Sequence, residues 1–327
     1  VNVAAILRQA LFDADAVAID GTTHRFVTQP ELLVWAQEGH TLMLNRLRQA
    51  HQDFGLTIRS STDADMRWNG ITYDPSSFGL TTTARTYTLP PDLIELRQIR
   101  AITSGEEERL FVFRDLAHPS AASLARSESS TTTAGTIYCD VIGERTLRLA
   151  LPPDTAMDIE LSYVARPSKL AIYSTGTVST TQNSATVTGA STPAWVINEL
   201  TPPLDLIIST DGNAPVIVGQ TAGVVFVDPS VLHLPVTSID SATTLTLAGP
   251  YLPAAVSTKG YLLASVPSIP EDFQWLLVRY VTAMIRWKAS GSPTPDLSDF
   301  QVKLGDLSVS TSERQTADPE FVEDYFG

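Results

Sequence analysis

The chain has 327 residues, 43% of them hydrophobic and 18% charged, with a formal net charge of −14 and a single cysteine. That composition excludes wholesale disorder, which needs low hydrophobicity and dense charge, and the acidic balance argues against sequence-specific DNA recognition, which selects basic stripes. One cysteine closes no internal disulfide, the five histidines stand at no metal-binding spacing, and no apolar run reaches the roughly 18 residues of a membrane helix.

Val3, Ile6, Leu7, Ala10, Leu11 and Ala14 recur with the helical period and predict an opening amphipathic helix. The amino end, Val1 to Ala16, carries Arg8 and Asp13 inside its apolar stretch and lacks a basic leader, so a signal peptide is not expected. A second helix is predicted from Thr28-Gln29-Pro30-Glu31 to about residue 52. Thr28 caps, Glu31 takes the capping-box position, and Pro30 loses no hydrogen bond in a first turn. Leu32, Trp35, Gly39, Leu42, Met43 and Leu47 form its expected buried stripe.

The period then changes to two. Residues 57–60 and 85–89 read as short strands, Pro90-Pro91-Asp92 as a turn, and 93–99 as a short helical turn running into a strand. Residues 110–113 are a further strand, and 118–134 mix a helical piece with Ser/Thr-rich loop. Segments 136–141, 146–150 and 157–163 alternate cleanly and are expected to build one small antiparallel sheet. From 171 the chain reads as strand and turn only. Eight short runs, at 176–179, 185–189, 206–208, 215–218, 224–227, 236–239, 244–247 and 261–264, predict a sandwich or barrel, with a hairpin turn at Gln182-Asn183-Ser184.

Ser268-Ile269-Pro270-Glu271 repeats the offsets of Thr28 to Glu31 and opens the strongest predicted helix. Phe273, Leu276, Leu277, Tyr280, Val281 and Met284 line one face of it, and it ends near Gly291-Ser292-Pro293. Trp275 and Trp287 fall off the densest face, beside Arg279 and Arg286, and are candidate inter-subunit contacts. A shorter helix is expected near 297–307, and the acidic tail from 314 has no core-forming periodicity.

Charge divides the chain into three. Residues 1–170 hold 16 basic and 21 acidic side chains, 171–266 hold one basic and five acidic, and 267–327 hold five basic and ten acidic. The expected domains are therefore a body at 1–170, an inserted β-rich module at 171–266, helices at 267–308 that complete the body, and an arm at 309–327.

Catalytic signatures are scarce. The sequence carries no GxSxG, Walker A, GxGxxG after a strand, or HExxH. The pairs Asp13/Asp15 and Asp63/Asp65 read as surface acids, and Asp211-Gly212-Asn213 as a hairpin turn rather than a calcium loop. Cys139, inside an alternating strand, reads as a small buried hydrophobe, and His24 and His40 as solvated or core histidines. No enzyme activity, metal or cofactor is expected.

The order of elements resembles head-to-tail adaptor (connector) proteins of tailed bacteriophages. The residues that carry the resemblance begin with the opening helix and the run Thr28-Gln29-Pro30-Glu31 through Gly39, followed by Tyr87-Thr88-Leu89-Pro90-Pro91-Asp92 with Leu96 and Ile99. Next come Leu147-Arg148-Leu149-Ala150-Leu151-Pro152-Pro153 and Ile159-Glu160-Leu161-Ser162-Tyr163 up to Pro167, and the series closes with Ile269 to Trp287. The inserted module looks like a β domain of phage structural proteins, on Gly176-Thr177-Val178, Thr186-Val187-Thr188-Gly189, Trp195, Thr243 to Leu247, and Pro250-Tyr251.

The resemblance implies an α+β chain: a helical bundle with a small antiparallel sheet as the body, plus an inserted all-β sandwich or barrel-like domain. It implies a virion protein, made in the host cytoplasm, that forms a ring of usually twelve copies between portal and tail. Its partners would be itself, the portal protein and a tail nozzle, tube or fibre protein. DNA would pass through without sequence-specific binding, and no membrane is involved. The carboxyl-terminal region of the family commonly reaches the portal, which makes Phe321, Tyr325 and Phe326 candidate contacts with portal or neighbour. The rival reading is a surface or polysaccharide-binding protein that stacks sugars on an exposed Trp195 and Tyr251 of the central β domain.

Overall fold

The computed structural model describes residues 1–14, 16, 27–50, 54–69, 71–103, 109–118, 123, 136–190, 195, 200–208, 232–251, 253, 255–292 and 295–316. In chain order the elements are helix α1 (Val3–Asp13), helix α2 (Gln29–Ala50), and strands β1 (Leu56–Ser60), β2 (Met66–Trp68), β3 (Ile71–Tyr73), β4 (Thr86–Thr88) and β5 (Leu93–Ala101). Strands β6 (Leu110–Phe113), β7 (Thr136–Ile142), β8 (Thr146–Leu149), β9 (Ile159–Ala165), β10 (Ile172–Tyr173), β11 (Thr177–Thr180) and β12 (Thr186–Ala190) follow. Next are β13 (Leu204–Ile208), β14 (Leu232–Ile239), β15 (Thr244–Leu247), β16 (Val256–Lys259) and β17 (Tyr261–Ser265), and then helices α3 (Gln274–Ser290) and α4 (Pro295–Thr316).

The chain forms two compact units, one of Val1–Phe54 with Lys169–Gly327 and one of Gly55–Ser168. In the first, local chemistry sets the helix ends. Asn2 caps α1, its Oδ1 accepting the Ala5 N–H at 3.0 Å. The Glu31 carboxylate accepts both the N–H and the hydroxyl of Thr28 at 2.9 Å, which fixes the start of α2. Gly291 ends α3 in the left-handed region at φ 73°, its N–H bonded to the Trp287 carbonyl at 2.8 Å.

The four described helices share one core, with Ile6, Leu7, Leu32, Met43, Leu47, Leu277, Val281 and Phe300 all buried. Ile207, Leu262 and Ala264 join that core from β13 and β17. Their strand neighbours Leu206, Ile208, Tyr261 and Leu263 point to the opposite face, as strand alternation requires, into a second core with Val178, Val187, Trp195, Leu245 and Tyr251. The sheet between them is antiparallel, with eight strands in the order β10-β17-β13-β14-β15-β12-β11-β16.

In the second unit β9 lies between β1 and β5 in a three-stranded antiparallel sheet, and β4-β8-β7-β6 form a four-stranded sheet in which β6 and β7 run parallel. β2 and β3 make a separate ribbon. Phe78, Leu89, Ala101, Cys139, Leu147, Ile159, Leu161 and Tyr163 fill the core shared by these sheets.

This architecture overturns the expected fold class. The chain is mostly β, with sheets of three, four and eight strands and four helices among the described residues, so its body is not a helical bundle with a small sheet. Helical periodicity reported amphipathic faces correctly, but a face does not say whether a helix or a sheet covers it, and nine strands lie among the described residues of Gly55–Ser168. The expected single sheet of 136–141, 146–150 and 157–163 is corrected likewise: β7 and β8 pair with each other, while β9 pairs with β1 and β5. Alternation fixes which side chains point inward and leaves the partner open.

Smaller corrections have local causes. Residues 93–99 belong wholly to strand β5, whose register shifts at Leu93/Glu95 and Leu96/Gln98 break the alternation that would have marked it. Leu42 is 44% exposed instead of buried. Ser268 makes no cap like that of Thr28: Glu271–Phe273 is a 3-10 turn with no side-chain cap bond, and the Ser268 N–H goes to His40 Nε2 at 3.2 Å.

Candidate functional site

Helix α3 is buried on most of its circumference. Leu276, Leu277, Tyr280, Val281, Thr282, Ala283 and Ile285 are all covered, leaving a narrow outward stripe. Trp275, Arg279 and Arg286 share that stripe, since spacings of four and seven residues return to nearly the same face of a helix. Trp275 is 43% exposed, and the Arg279 guanidinium lies 5.4 Å from its ring centroid. Trp287, 37% exposed, lies about a quarter-turn away from Arg286.

The two arginines are held by α4. Arg279 Nη1 donates to Asp299 Oδ2 at 2.6 Å and Arg286 Nη1 to Asp296 Oδ2 at 2.8 Å, so two ion pairs lace the antiparallel helices. Arg286 Nη2 also donates to the Asp13 carbonyl at the end of α1. Both side chains of the Arg279–Asp299 pair are substantially exposed, so it contributes at most about 1 kcal/mol and can exchange partners. The acids on α4 were the partners that sequence reasoning did not assign; Asp296 and Asp299 stand three apart on an amphipathic helix, which places both on one face.

At the other end of α3, Lys288 Nζ donates to Glu31 Oε1 at 2.6 Å. That hydrogen bond, followed by those from Thr28, holds the Glu31 carboxyl down to about 2. His40 is fully buried where α2 passes α3; its Nε2 accepts from Ser268, and its Nδ1 has no hydrogen-bond partner in the described structure. Burial, reinforced by the Arg48 charge, lowers His40 to about 4, so it is a neutral core histidine.

The second unit carries a cleft of about 500 Å3 where the start of β5 faces β6 and β7. Ile94 and Phe113, 44% and 42% exposed, and Val141 give it apolar walls, with Glu95, Asp140, Glu144 and Arg166 also lining it. Asp140 is bound by Arg148 at 3.0 Å and Glu95 by Arg97 at 2.9 Å, whereas the exposed Glu144 carboxylate has no partner among the described residues. Sequence reasoning missed this cleft. The one signal for it was Gly143, which sits at φ 61° in the tight turn between two alternating strands, next to the exposed Glu144.

Other sequence candidates resolve simply. Cys139 is fully buried, and burial pushes its thiol up to about 12, as a core residue requires. Asp92, from the Pro90-Pro91-Asp92 motif, is a buried structural acid: burial raises its carboxyl, and the Tyr163 hydroxyl, donating to it at 2.9 Å, pulls it back. Asp63 accepts the Ser60 N–H at 2.9 Å within a turn. Trp195 and Tyr251, offered as exposed sugar platforms in the rival reading, are 0% and 2% exposed in the β core, which corrects that expectation. Asp15, His24, His51, Asp211-Gly212-Asn213, the strands at 215–218 and 224–227, and Phe321, Tyr325 and Phe326 lie outside the described residues.

No protein-family model and no curated protein sequence matches this chain. Among the described residues no three His, Cys, Asp or Glu side chains are placed to share a metal ion, and no helix is long and apolar enough to cross a membrane.

Proposed function

We propose that the chain is a structural protein of tailed-phage particles that assembles as a ring between portal and tail. The observation that carries this reading is the outward stripe of α3. Trp275 and Trp287 keep large aromatic surfaces in solvent on a helix that is mostly covered up to Ile285, beside two arginines. Exposed tryptophan next to arginine is the chemistry that protein interfaces bury.

Two further features support it. The ordered motif series from Thr28 through Asp92 to Trp287 resembles the head-to-tail adaptors, although the helical-bundle body of that family is absent here and takes no part in the argument. The net charge of −14 is spread over all three segments, each with more acids than bases, so a lumen built from such surfaces repels phosphates and lets a duplex slide. A ring also needs two complementary faces per protomer, since its contacts are heterologous and close by rotation. The reading assigns no catalytic residue and no cofactor.

The test is antibody labelling of tailed particles from cells that carry the gene. The reading expects label at the head–tail vertex, and particles free of the protein would overturn it.

A further inference from the structure

Helix α2 grips the eight-stranded sheet of the first unit at its neck. The chain enters that sheet through Leu170, just before β10, and leaves it through the strap 266–270 after β17, and β10 and β17 are paired neighbours. α2 meets both crossings with a side-chain acceptor: Gln37 Oε1 takes the Leu170 N–H at 2.8 Å, and His40 Nε2 takes the Ser268 N–H at 3.2 Å. Positions three apart lie on one face of a helix, so the two side chains form one clamp. The amide of Gln37 keeps its acceptor at every pH, whereas an imidazole loses its acceptor on protonation. We propose that His40 is the acid-releasable half of this clamp, and that its protonation frees the strap 266–270 from α2 while Gln37 still holds Leu170.

The hydrogen bond has a fixed polarity. With Nε2 accepting, the neutral ring carries its proton on Nδ1. A second proton must then sit on Nε2, where it meets the Ser268 N–H, and two donors face each other. His40 is fully buried and its Nδ1 has no partner among the described residues, so the site offers a charged ring no substitute bond. An unpaired buried charge is costly, and the ring gains water by parting from the strap, whose Ser268 is already exposed. The charges on the surrounding elements do not rescue it. Arg48, further along α2, repels a charged imidazole; α3 presents Tyr280, whose hydroxyl donates to Glu38 at 3.4 Å; and Glu271, the first acid beyond the strap, is exposed. Burial, reinforced by Arg48, accordingly holds His40 down to about 4, and no acid among the described residues offsets them. The release goes beyond the ring reading and does not depend on it.

The experiment is hydrogen exchange of the full chain at pH 7 and pH 5, corrected for the intrinsic rate at each pH, for the wild type, His40→Gln and Gln37→Leu. The amides of Ser268, Leu170 and strand β13 are followed. In the wild type the Ser268 amide is expected to open roughly tenfold or more readily at pH 5 than at pH 7, while Leu170 and β13 keep their protection. His40→Gln, whose side-chain oxygen can take the same N–H, holds Ser268 closed at both values. Gln37→Leu loosens Leu170 to the same extent at both. Ser268 protection that does not change with pH in the wild type overturns the proposal. A loss that persists in His40→Gln, or that β13 shares, overturns it too, since the first is independent of the imidazole and the second is global unfolding. Imidazole nitrogen shifts of the wild type test the polarity without any variant: a proton on Nδ1 at pH 7 is expected, and one on Nε2 contradicts the clamp.

Discussion

The indole Nε1 of Trp195 donates to the phenolic oxygen of Tyr261 at 2.7 Å, and that hydroxyl donates onward to the Thr175 carbonyl at 2.7 Å. The two rings meet edge to face, 5.9 Å between centroids and 88° between planes, with neither exposed to solvent. The tryptophan that could have been a ligand platform is instead the centre of the β core. Tyr261→Phe keeps the packing but strands the buried indole N–H; Thr175, whose carbonyl also loses its donor, is an exposed residue. Each buried group left unpaired costs roughly 1–3 kcal/mol, so urea unfolding is expected to show a clear fall in midpoint at unchanged slope.

Helices α2 and α3 pack closely at Gly39. A Cβ there would lie 2.6 Å from Tyr280 Cδ1 and 2.9 Å from Leu277 Cδ1. The Tyr280 ring cannot swing clear, since it packs on Phe300 at 4.9 Å between centroids. Gly39→Ala gains about 1 kcal/mol of helix propensity and loses about 1–3 kcal/mol to overpacking. A net destabilisation on the order of 1 kcal/mol is expected in thermal unfolding, and a larger side chain costs more.

His40 predicts an acid sensitivity. Its folded value of about 4 lies below its ordinary 6.5, so the unfolded chain binds the proton more readily. Its contribution is complete above about pH 6.5 and is lost as pH falls toward 4, on the order of 3 kcal/mol in all. Glu31 adds a second, lower window: its stabilisation is present above its ordinary 4.5 and is lost as pH falls toward about 2. His40→Gln, which keeps an acceptor for the Ser268 N–H, is expected to flatten the stability profile between pH 6.5 and 4 and to leave the lower window untouched. A profile in His40→Gln identical to that of the wild type contradicts the assignment.

Local structure was largely legible in the sequence. The Asn183 turn at φ 63°, the Gly291 helix stop and the Thr28–Glu31 cap all follow from short-range chemistry that a few adjacent residues specify. Long-range pairing was not. Nothing in the alternation of 159–165 distinguishes β7 from β1 as a partner, and the bulges in β5 hide a nine-residue strand. The site divides along the same line. Periodicity placed Trp275 and Trp287 off the packed face of α3, but the partners of Arg279 and Arg286 lie on another helix, and the cleft beside Glu144 exists only once β5, β6 and β7 are assembled.

The central claim is that this chain closes into a ring at a portal. Native mass measurement of the full chain, alone and mixed with any portal protein encoded in the same genome, tests that most directly. The account predicts a discrete complex holding a fixed, ring-forming number of copies, twelve by resemblance to the adaptors. A chain that remains a monomer in the presence of portal contradicts it.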